Sequence, residues 1–435
     1  MAATTMAPAE SGQRWAYGLV LAATGVALGV SGAPAPLYGI YQTEWHLSPL
    51  TTTMVFAVYA VAALGAVLVS GRISDVVGRK PVMVGAFATM ILGLVVFLLA
   101  DSVPMLLLAR ALHGAAVGAT VVAGAAALLD LRPERGARSG QLSGVAFNVG
   151  IAIAVLGTAV LAQYAPSPLR TPYVVIAVIC LAAGAGILAV TEPHTARVKA
   201  RITIAKPAVP QEIRGDFWFS AIGVMAAWSV LGVLLSLYPS LAAAKTGVHN
   251  LVFGGVVVAG TALAGAAAQL FATRIQARRA AIFGDLGMAA ALLATIPALA
   301  SAQPVVVVLA GLALGATFGL GFGGSLRHLS EVVPPHRRGE TMSAYYLLAY
   351  SALALPTLAA GWAATTWGLT TVFPWFIGLV SVACVVAAGG GGAGAPAPGP
   401  GEAGAPPAGA RGFFSQPPTG HFMELITVPY GGWPA

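Results

Sequence analysis

Charged residues are scarce in this sequence. They make up 8% of the 435 residues, whereas hydrophobic residues make up 58%. Soluble domains carry roughly 25% charged residues. A chain this poor in charge does not fold as a water-soluble domain, and a lipid bilayer is its expected environment.

Cysteine and the common catalytic motifs are also missing or rare. The two cysteines, Cys180 and Cys384, both lie in apolar runs, so no disulfide framework is expected. The sequence has no Cys/His spacing typical of a metal site and no G-x-x-x-x-G-K-[ST] phosphate loop. No apolar run contains a Ser/His pair or paired aspartates. We therefore expect no cofactor, no resident metal and no enzymatic activity.

Positive charge exceeds negative charge, with 22 Lys+Arg against 14 Asp+Glu. The positive residues lie in short connections between apolar runs, which argues against a nucleic-acid partner. If the N-terminus is inside, 19 of the 22 fall on the inner side. This asymmetry predicts a protein of the plasma (cytoplasmic) membrane with both termini in the cytoplasm.

Twelve apolar runs approach the ~20 residues that span a bilayer, which predicts an all-helical membrane protein. The predicted spans cover residues 15–38, 50–70, 81–100, 105–129, 141–164, 171–190, 216–238, 250–272, 281–300, 305–326, 341–364 and 370–388. Pro34 and Pro36 are expected to distort the outer end of the first span.

The longest polar connection divides the twelve spans into six and six. The predicted parts are a cytoplasmic N-terminus (1–14), a first half (15–190), a central loop (191–215), a second half (216–388) and a disordered tail rich in Gly, Ala and Pro (389–435). Arg79-Lys80 in the first half corresponds to Arg278-Arg279 in the second, which suggests an internal duplication.

The ten residues 71–80, read GRISDVVGRK, connect the second and third spans. They resemble the signature loop G-x-L-A-D-R-x-G-R-K of major facilitator superfamily transporters. Gly71, Asp75, Gly78, Arg79 and Lys80 match it position by position. Val76 departs where the family usually has arginine. The resemblance implies that the matching residues form a conformational gate. Arg79 and Lys80 lie at the start of a helix, where the dipole does not favour positive charge, so we also expect an acidic partner for them.

The fourth span holds a shorter match. Arg110, His113, Gly114 and Gly118 lie on one helical face. They resemble the family signature R-x-x-Q-G, with His113 in place of glutamine. In relatives this arginine faces the central cavity and serves substrate binding or proton coupling. An arginine this deep costs roughly 2.5–3.5 kcal/mol to insert, so it indicates a functional site. Packing of Arg110 against carbonyls, and a satisfied core histidine at His113, are the alternatives.

Other candidates come from residue type alone. Asp285 is the one acidic residue clearly within a span. It is a candidate proton site, but water-accessible capping or pairing with Arg278 or Arg279 is the favoured interpretation. Candidates to line a central cavity are the polar and aromatic residues Tyr59, Asn148, Trp228, Phe318, Phe322, Tyr346 and Tyr350. Each is equally explained as membrane core or interfacial belt.

Glycines recur every four residues along the tenth span, at Gly311, Gly315, Gly319 and Gly323. Such small-residue faces let helices approach closely in lipid. Two interpretations of this glycine face are possible: a surface on which the helices slide, or a static tight contact.

The family resemblance implies a monomeric secondary transporter that moves a small molecule by alternating access. Proton-coupled efflux is the predicted activity, and proton-coupled uptake of a sugar or metabolite is the alternative. A membrane sensor or interaction protein without transport is the alternative of another class. The G-P-x-x-G-G signature of drug/proton antiporters is absent, although Gly144, Gly150 and Gly157 occur in the fifth span.

Overall fold

The computed structural model describes residues 14–133, 136–194, 207–334 and 337–392, and in this part of the chain all regular structure is helical. The fourteen helices there are α1 (Arg14–Gly32), α2 (Tyr38–Glu44), α3 (Pro49–Val77), α4 (Arg79–Leu99), α5 (Val103–Leu131), α6 (Gly136–Tyr164), α7 (Thr171–Ala189), α8 (Arg214–Ser236), α9 (Tyr238–Thr246), α10 (Leu251–Ala272), α11 (Ala277–Ala300), α12 (Pro304–Val332), α13 (Arg338–Trp367) and α14 (Leu369–Gly392).

Twelve segments of the described chain are long and apolar enough to cross a membrane, as predicted. The first combines α1 and α2, and α9 is too short to span. We call α1–α7 the first half and α8–α14 the second half. The basic end is the side of the bundle that holds the α3–α4 turn, and the far end is the other side. The halves pack together mainly through α3 with α13 and α6 with α10.

The first span is interrupted where the prolines predicted a distortion. α1 ends at Gly32, a single tight turn covers Ala35–Leu37, and α2 then continues to Glu44. Pro34 and Pro36 cannot donate main-chain hydrogen bonds, so the α-helical ladder breaks here. The turn is buried among neighbouring helices. The predicted distortion at this end of the first span is confirmed.

Several predicted boundaries were wrong. The helix α3 continues to Val77, so residues 71–77 of the signature stretch are helical, because the first residue there that ends the helix is Gly78. Its φ of 114° is a conformation that side chains rarely adopt. The helix α8 begins at Arg214, inside the predicted central loop, and α9 was not predicted.

The twelfth span also ends later than predicted. The helix α14 runs to Gly392, so the first four residues of the predicted tail are helical. Alanine and glycine can extend a helix that is already nucleated, and composition alone misplaced its end. The remainder of the predicted tail, residues 393–435, lies outside the described residues.

Glycines set the contact between α10 and α12. A Cβ atom on Gly315 would lie 1.9 Å from the main-chain oxygen of Thr261, and one on Gly319 would lie 2.3 Å from that of Gly265. Two helical backbones therefore touch without intervening side chains. The close approach predicted from the four-residue spacing is confirmed, and it suits a bilayer, where apolar burial gives helices no drive to associate.

We expect Gly315→Ala to destabilise the protein, because the added methyl group would meet an immovable main-chain atom. Overpacking of this kind typically costs about 1–3 kcal/mol. The control is Gly323→Ala on the same helix, where the methyl group would meet a flexible Gln269 side chain at 3.4 Å. Thermal unfolding in detergent should show a lower midpoint for Gly315→Ala alone. Equal midpoints would show that the backbones separate easily.

Candidate functional site

Arg110 lies on α5, and among the described residues it is the largest fully buried side chain. Its Nε donates to the Val55 carbonyl at 3.4 Å and its Nη1 donates to the Ser31 carbonyl at 3.1 Å, whereas Nη2 has no partner. The guanidinium carbon lies 4.5 Å from the Tyr59 ring centroid and 5.6 Å from that of Phe56. No carboxylate of the described residues forms an ion pair with Arg110. The positive charge is therefore held by carbonyls and ring faces.

Two further tyrosines, Tyr38 and Tyr173, lie within the field of this arginine, and Tyr41 contacts Tyr173; sequence reasoning missed all three. The hydroxyl group of Tyr38 is buried without a hydrogen-bond partner, and its side chain lies within the field of Arg110. The hydroxyl groups of Tyr41 and Tyr173 lie 3.5 Å apart. Tyr38 and Tyr41 follow the proline break, which turns α2 back into the bundle. The Pro-x-Pro spacing was the only sequence signal for their position.

His113 lies one turn along α5 and has different neighbours. Its ring is 5.1 Å from the Phe97 ring, and its Cδ2 atom lies so close to Gly93 of α4 that a Cβ there would be 2.6 Å away. The side chain is fully buried, and neither ring nitrogen makes a well-formed hydrogen bond. Arg110 thus faces α1 and α3, whereas His113 faces α4.

The second half presents an aromatic cluster toward α3. Ring centroids of Trp228 and Tyr350 lie 4.7 Å apart, and those of Trp228 and Phe322 lie 6.1 Å apart. Phe318 stacks on Phe322 at 6.0 Å. Tyr350 lies within electrostatic range of Tyr59. The structure therefore brings four of the predicted cavity candidates together and sets them near the ring that covers Arg110.

The other two candidates make no ring contact with the aromatic residues of this cluster. Tyr346, one turn before Tyr350 on α13, is half-buried and packs edge-on against Tyr345. Asn148 is buried on α6, where its amide donates to the Gly144 carbonyl at 3.0 Å and its oxygen faces Gly265 of α10. Asn148 therefore belongs to the second contact between the halves.

The halves are joined at the far end. The amide of Leu50 donates to the Thr365 hydroxyl at 2.9 Å, and the amide of Leu251 donates to the Gln163 side chain at 2.8 Å. The hydroxyl of Ser240 donates to Gln42 at 3.3 Å. At the basic end, by contrast, the ion pairs found between described residues each join residues of one half.

The basic end of the first half is held by Arg79. Its guanidinium pairs with Asp75 at 2.5 Å and with Asp130 at 3.0 Å, and it also donates to Ser74 at 2.7 Å. His194 lies 3.3 Å from the same Asp130 carboxylate. The acidic partner expected for this arginine is present, and the contacts tie together the ends of α3, α4 and α5.

Glu192 adds a contact that the sequence did not indicate. Its carboxylate accepts from the main-chain amides of Arg79 at 2.8 Å and of Lys80 at 3.1 Å. These amides open α4, where the helix dipole favours negative charge. A Cβ on Gly78 would lie 2.6 Å from this carboxylate, so glycine leaves room for it. The segment after α7 is thereby fixed to the α3–α4 turn.

Asp285 lies in the second half, away from Arg110. It is fully buried, and neither carboxylate oxygen has a hydrogen-bond partner. Arg278 instead lies 3.6 Å from Asp216, which also contacts His328 at 2.8 Å. The predicted hydrogen-bonded pairing of Asp285 with Arg278 or Arg279 was wrong, because Asp285 lies about two turns deeper along α11.

Short stretches of the chain are similar to known transporters. An uncharacterized MFS-type transporter of Mycobacterium tuberculosis is 30% identical over 135 residues, which is 30% of this chain and 18% of that protein. Inner membrane transport protein YajR of Escherichia coli is 39% identical over 87 residues, which is 20% of this chain and 19% of that protein. The aligned stretches thus span less than a fifth of these relatives.

Similarity of fold and of sequence profile extends much further. The structure resembles a crystal structure of a point mutant of nucleoside transporter NupG, with a TM-score of 0.69 and 11% identity, over 86% of this chain and 99% of that one. The profile of the Major Facilitator Superfamily matches residues 19–357. Twelve spans, the signature at residues 71–80 and this match lead to one conclusion: the chain is an integral membrane protein that belongs to the major facilitator superfamily of transporters.

Proposed function

We propose that this transporter exports a small organic solute in exchange for protons, with the solute bound between Arg110 and the aromatic cluster of the second half. Arg110 is the observation that carries the proposal. It is fully buried, keeps one nitrogen without a partner and forms no ion pair with a described carboxylate. An uncompensated buried charge costs free energy, so its presence in a membrane span indicates a functional site.

The chemistry around Arg110 favours a solute with an anionic or strongly polarised group. A guanidinium offers a planar fork of donors that matches a carboxylate or phosphate. Tyr59 covers the guanidinium from one side and lies near Tyr350 of the second half. A group bound to Arg110 would therefore border both halves.

The aromatic cluster favours an apolar body over a sugar. Trp228, Phe318, Phe322 and Tyr350 offer ring faces and edges, and ligand pockets of this composition bind apolar surface with a few polar groups that fix orientation. Of the seven cavity candidates only Asn148 carries an amide. This observation ranks export of an amphiphilic molecule above uptake of a sugar or metabolite.

Alternating access follows from how the halves are joined. Contacts at the far end hold α3 to α13 and α6 to α10, while the ion pairs of the basic end stay within each half. Rocking about the central site would release the first set and bring the two charged layers together. With the basic end in the cytoplasm, these contacts close the transporter to the outside, a state through which exporters and importers both pass.

His113 is the proposed carrier of the coupled proton on α5. Histidine changes charge within the physiological range, whereas arginine does not. The ring lies within the field of Arg110, so a proton on His113 changes the charge beside the solute site. Exchange requires that the solute and this proton occupy the site in turn, the solute when the transporter faces inward and the proton when it faces outward.

A membrane sensor without transport is the competing function. It would need binding at Arg110 but no movement of the halves. Counterflow of a labelled solute in proteoliposomes separates the two functions, because only a transporter exchanges solute across the membrane. A screen by thermal shift across amphiphilic acids, neutral aromatics, sugars and amino acids supplies that solute, since a ligand bound only by the folded state raises its stability.

We expect Arg110→Lys to lower solute-driven proton movement in proteoliposomes at least about tenfold. Removal of one partner from a buried charged contact costs about 2–5 kcal/mol, and 1.4 kcal/mol corresponds to a factor of ten. Lysine keeps the charge but loses the planar fork. Arg170→Lys, at an exposed position, is the matched control and should retain the parental rate.

His113→Gln tests separately whether His113 carries the coupled proton, because glutamine is the family's usual residue and cannot titrate. We expect retained solute binding and a flatter dependence of transport on pH between about 5 and 8. If Arg110→Ala transports at the parental rate, normalised to protein in the membrane, the proposal that Arg110 binds the solute is rejected. An unchanged pH profile in His113→Gln would reject the proton carrier and leave the solute site standing.

Asp75→Asn should slow transport severalfold while expression and membrane insertion stay near normal. The substitution removes the charge that pairs with Arg79 at 2.5 Å, and the basic end of the first half would lose rigidity. Asp101→Asn, an exposed acid at the far end, is the matched control. Transport per molecule and maleimide labelling of cysteines placed at the basic end provide the readouts. A parental rate in Asp75→Asn would exclude Asp75 from the gate.

A further inference from the structure

The second half contains a buried negative charge that the solute site does not use. Asp285 of α11 is completely buried, and both of its carboxylate oxygens lack hydrogen-bond partners. An isolated carboxylate away from water is so costly that proteins pair it, neutralise it or bind a cation with it. The neighbours of Asp285 decide among these outcomes.

Two ionisable groups of the described residues lie within the field of Asp285, and neither carries a positive charge. Its charge acts on the Tyr345 phenol of α13 and on the Cys384 thiol of α14. Arg278 and His328, on the helices packed against this region, contact Asp216 closer to the basic end. A protein cation in hydrogen-bond contact with the carboxylate is thus absent from the described residues.

Three hydroxyl groups without partners lie at the same depth. Ser220, Ser325 and Tyr345 are fully buried, and none of their oxygens makes a hydrogen bond. Like Asp285, they lie six to eight residues from the basic end of their helices, α8, α12 and α13. At 1.5 Å per residue this places all four about 9–12 Å from that end.

Two glycines lie against the carboxylate. A Cβ atom on Gly223 would lie 2.9 Å from Oδ2 of Asp285 and 3.1 Å from Oγ of Ser325. A Cβ atom on Gly321 would lie 3.0 Å from Oδ1 of Asp285. The carboxylate and the Ser325 hydroxyl therefore converge on one narrow space beside Gly223, which a methyl group on that glycine would occupy.

We propose that this space is a sodium site, in which the Asp285 carboxylate and the Ser325 hydroxyl bind Na⁺ and the hydroxyls of Ser220 and Tyr345 complete the set of oxygen ligands. Hard cations take oxygen ligands of this kind. A proton would neutralise Asp285 but would leave three buried hydroxyl groups without partners, whereas a cation accepts their lone pairs. A divalent ion would leave a net positive charge buried beside the one carboxylate.

The ion would connect four helices of one half. The helices α8, α11, α12 and α13 each contribute one ligand, so bound sodium stabilises the second half as a unit. The site lies in the opposite half from Arg110 and does not depend on the proposed solute export. Its test therefore measures ion binding to the full-length protein and requires no solute.

The experiment is thermal unfolding of the purified full chain in detergent at constant ionic strength, with sodium chloride exchanged stepwise for choline chloride. A ligand that binds only the folded state raises the unfolding midpoint progressively with its concentration. We expect the midpoint to rise by a few degrees in sodium relative to choline. Potassium should give a smaller rise because a larger ion needs longer bonds to the same buried oxygens.

Two variants remove the site in different ways. Asp285→Asn removes the charge and should unfold at the same temperature in sodium and in choline. Gly223→Ala keeps Asp285 but fills the space, and it should lose the sodium response as well. Gly215→Ala on the same helix is the matched control, because its methyl group would meet no atom within 4 Å, and it should keep the response.

Equal midpoints in sodium and choline for the unmodified protein would overturn the proposal. An equal rise in potassium would also overturn it, since that result indicates a general salt effect. So would a sodium response that persists in Asp285→Asn. If that variant does not fold, Gly223→Ala decides, and a parental sodium response there would reject the site.

Discussion

A lipid bilayer offers the main chain no hydrogen-bond partners, and the rest of this structure depends on that constraint. Each membrane-spanning segment must satisfy its own amides and carbonyls, so the described chain is helical wherever it crosses the membrane. Lipid also removes the apolar drive for helices to associate. Contacts between backbones at Gly315 and Gly319 show what replaces that drive.

Because lipid offers no hydrogen bonds, a buried polar side chain also needs a partner within the protein or a bound ligand. Arg110 and Asp285 have opposite charges but lie in opposite halves, and neither neutralises the other. Arg110 is held by carbonyls and aromatic rings, which leaves part of its fork for a ligand. Asp285 faces hydroxyl groups and a space kept open by glycine. One arrangement suits an anionic group of a solute and the other suits a small cation.

The charged residues at the basic end serve a different purpose. Arg79 joins Asp75 and Asp130, while Glu192 binds the start of α4, so the first half ends in one cross-connected layer. Asp216, Arg278 and His328 form a similar layer in the second half. Rigid layers let each half move as a body, which alternating access requires.

Much of the fold could be predicted from the sequence because hydropathy and charge are local properties. The number of spans, the break at Pro34 and Pro36 and the glycine contact of α12 were all correct. Helix ends were less accurate, since α3 continues through charged residues to Val77 once it leaves the apolar layer. Composition could not show where such a helix stops.

The site was predictable in part. Arg110 was predicted because inserting an arginine into a membrane span costs free energy. Trp228 and Tyr350 were predicted from residue type. Their meeting point was not predictable, because it depends on how distant helices pack. The hydroxyls around Asp285 come from three other helices, and the tyrosines around Arg110 depend on the turn at Ala35–Leu37. Serine and tyrosine carry no signal in sequence that separates such positions from ordinary core.

The central claim is that the two halves must separate at the far end for transport to occur. Cysteines at Leu50 and Thr365, whose main-chain nitrogen and hydroxyl lie 2.9 Å apart, would cross-link the halves in a background without Cys180 and Cys384. Cysteines at Ser48 and Thr51, whose hydroxyl groups lie 2.9 Å apart, form a control pair within the first half at the same end.

The measurement is the transport rate in proteoliposomes after oxidation and again after reduction. The account predicts that the cross-link between Leu50→Cys and Thr365→Cys stops transport and that reduction restores it, whereas the control cross-link leaves the rate unchanged. Undiminished transport with the halves fully cross-linked would contradict it.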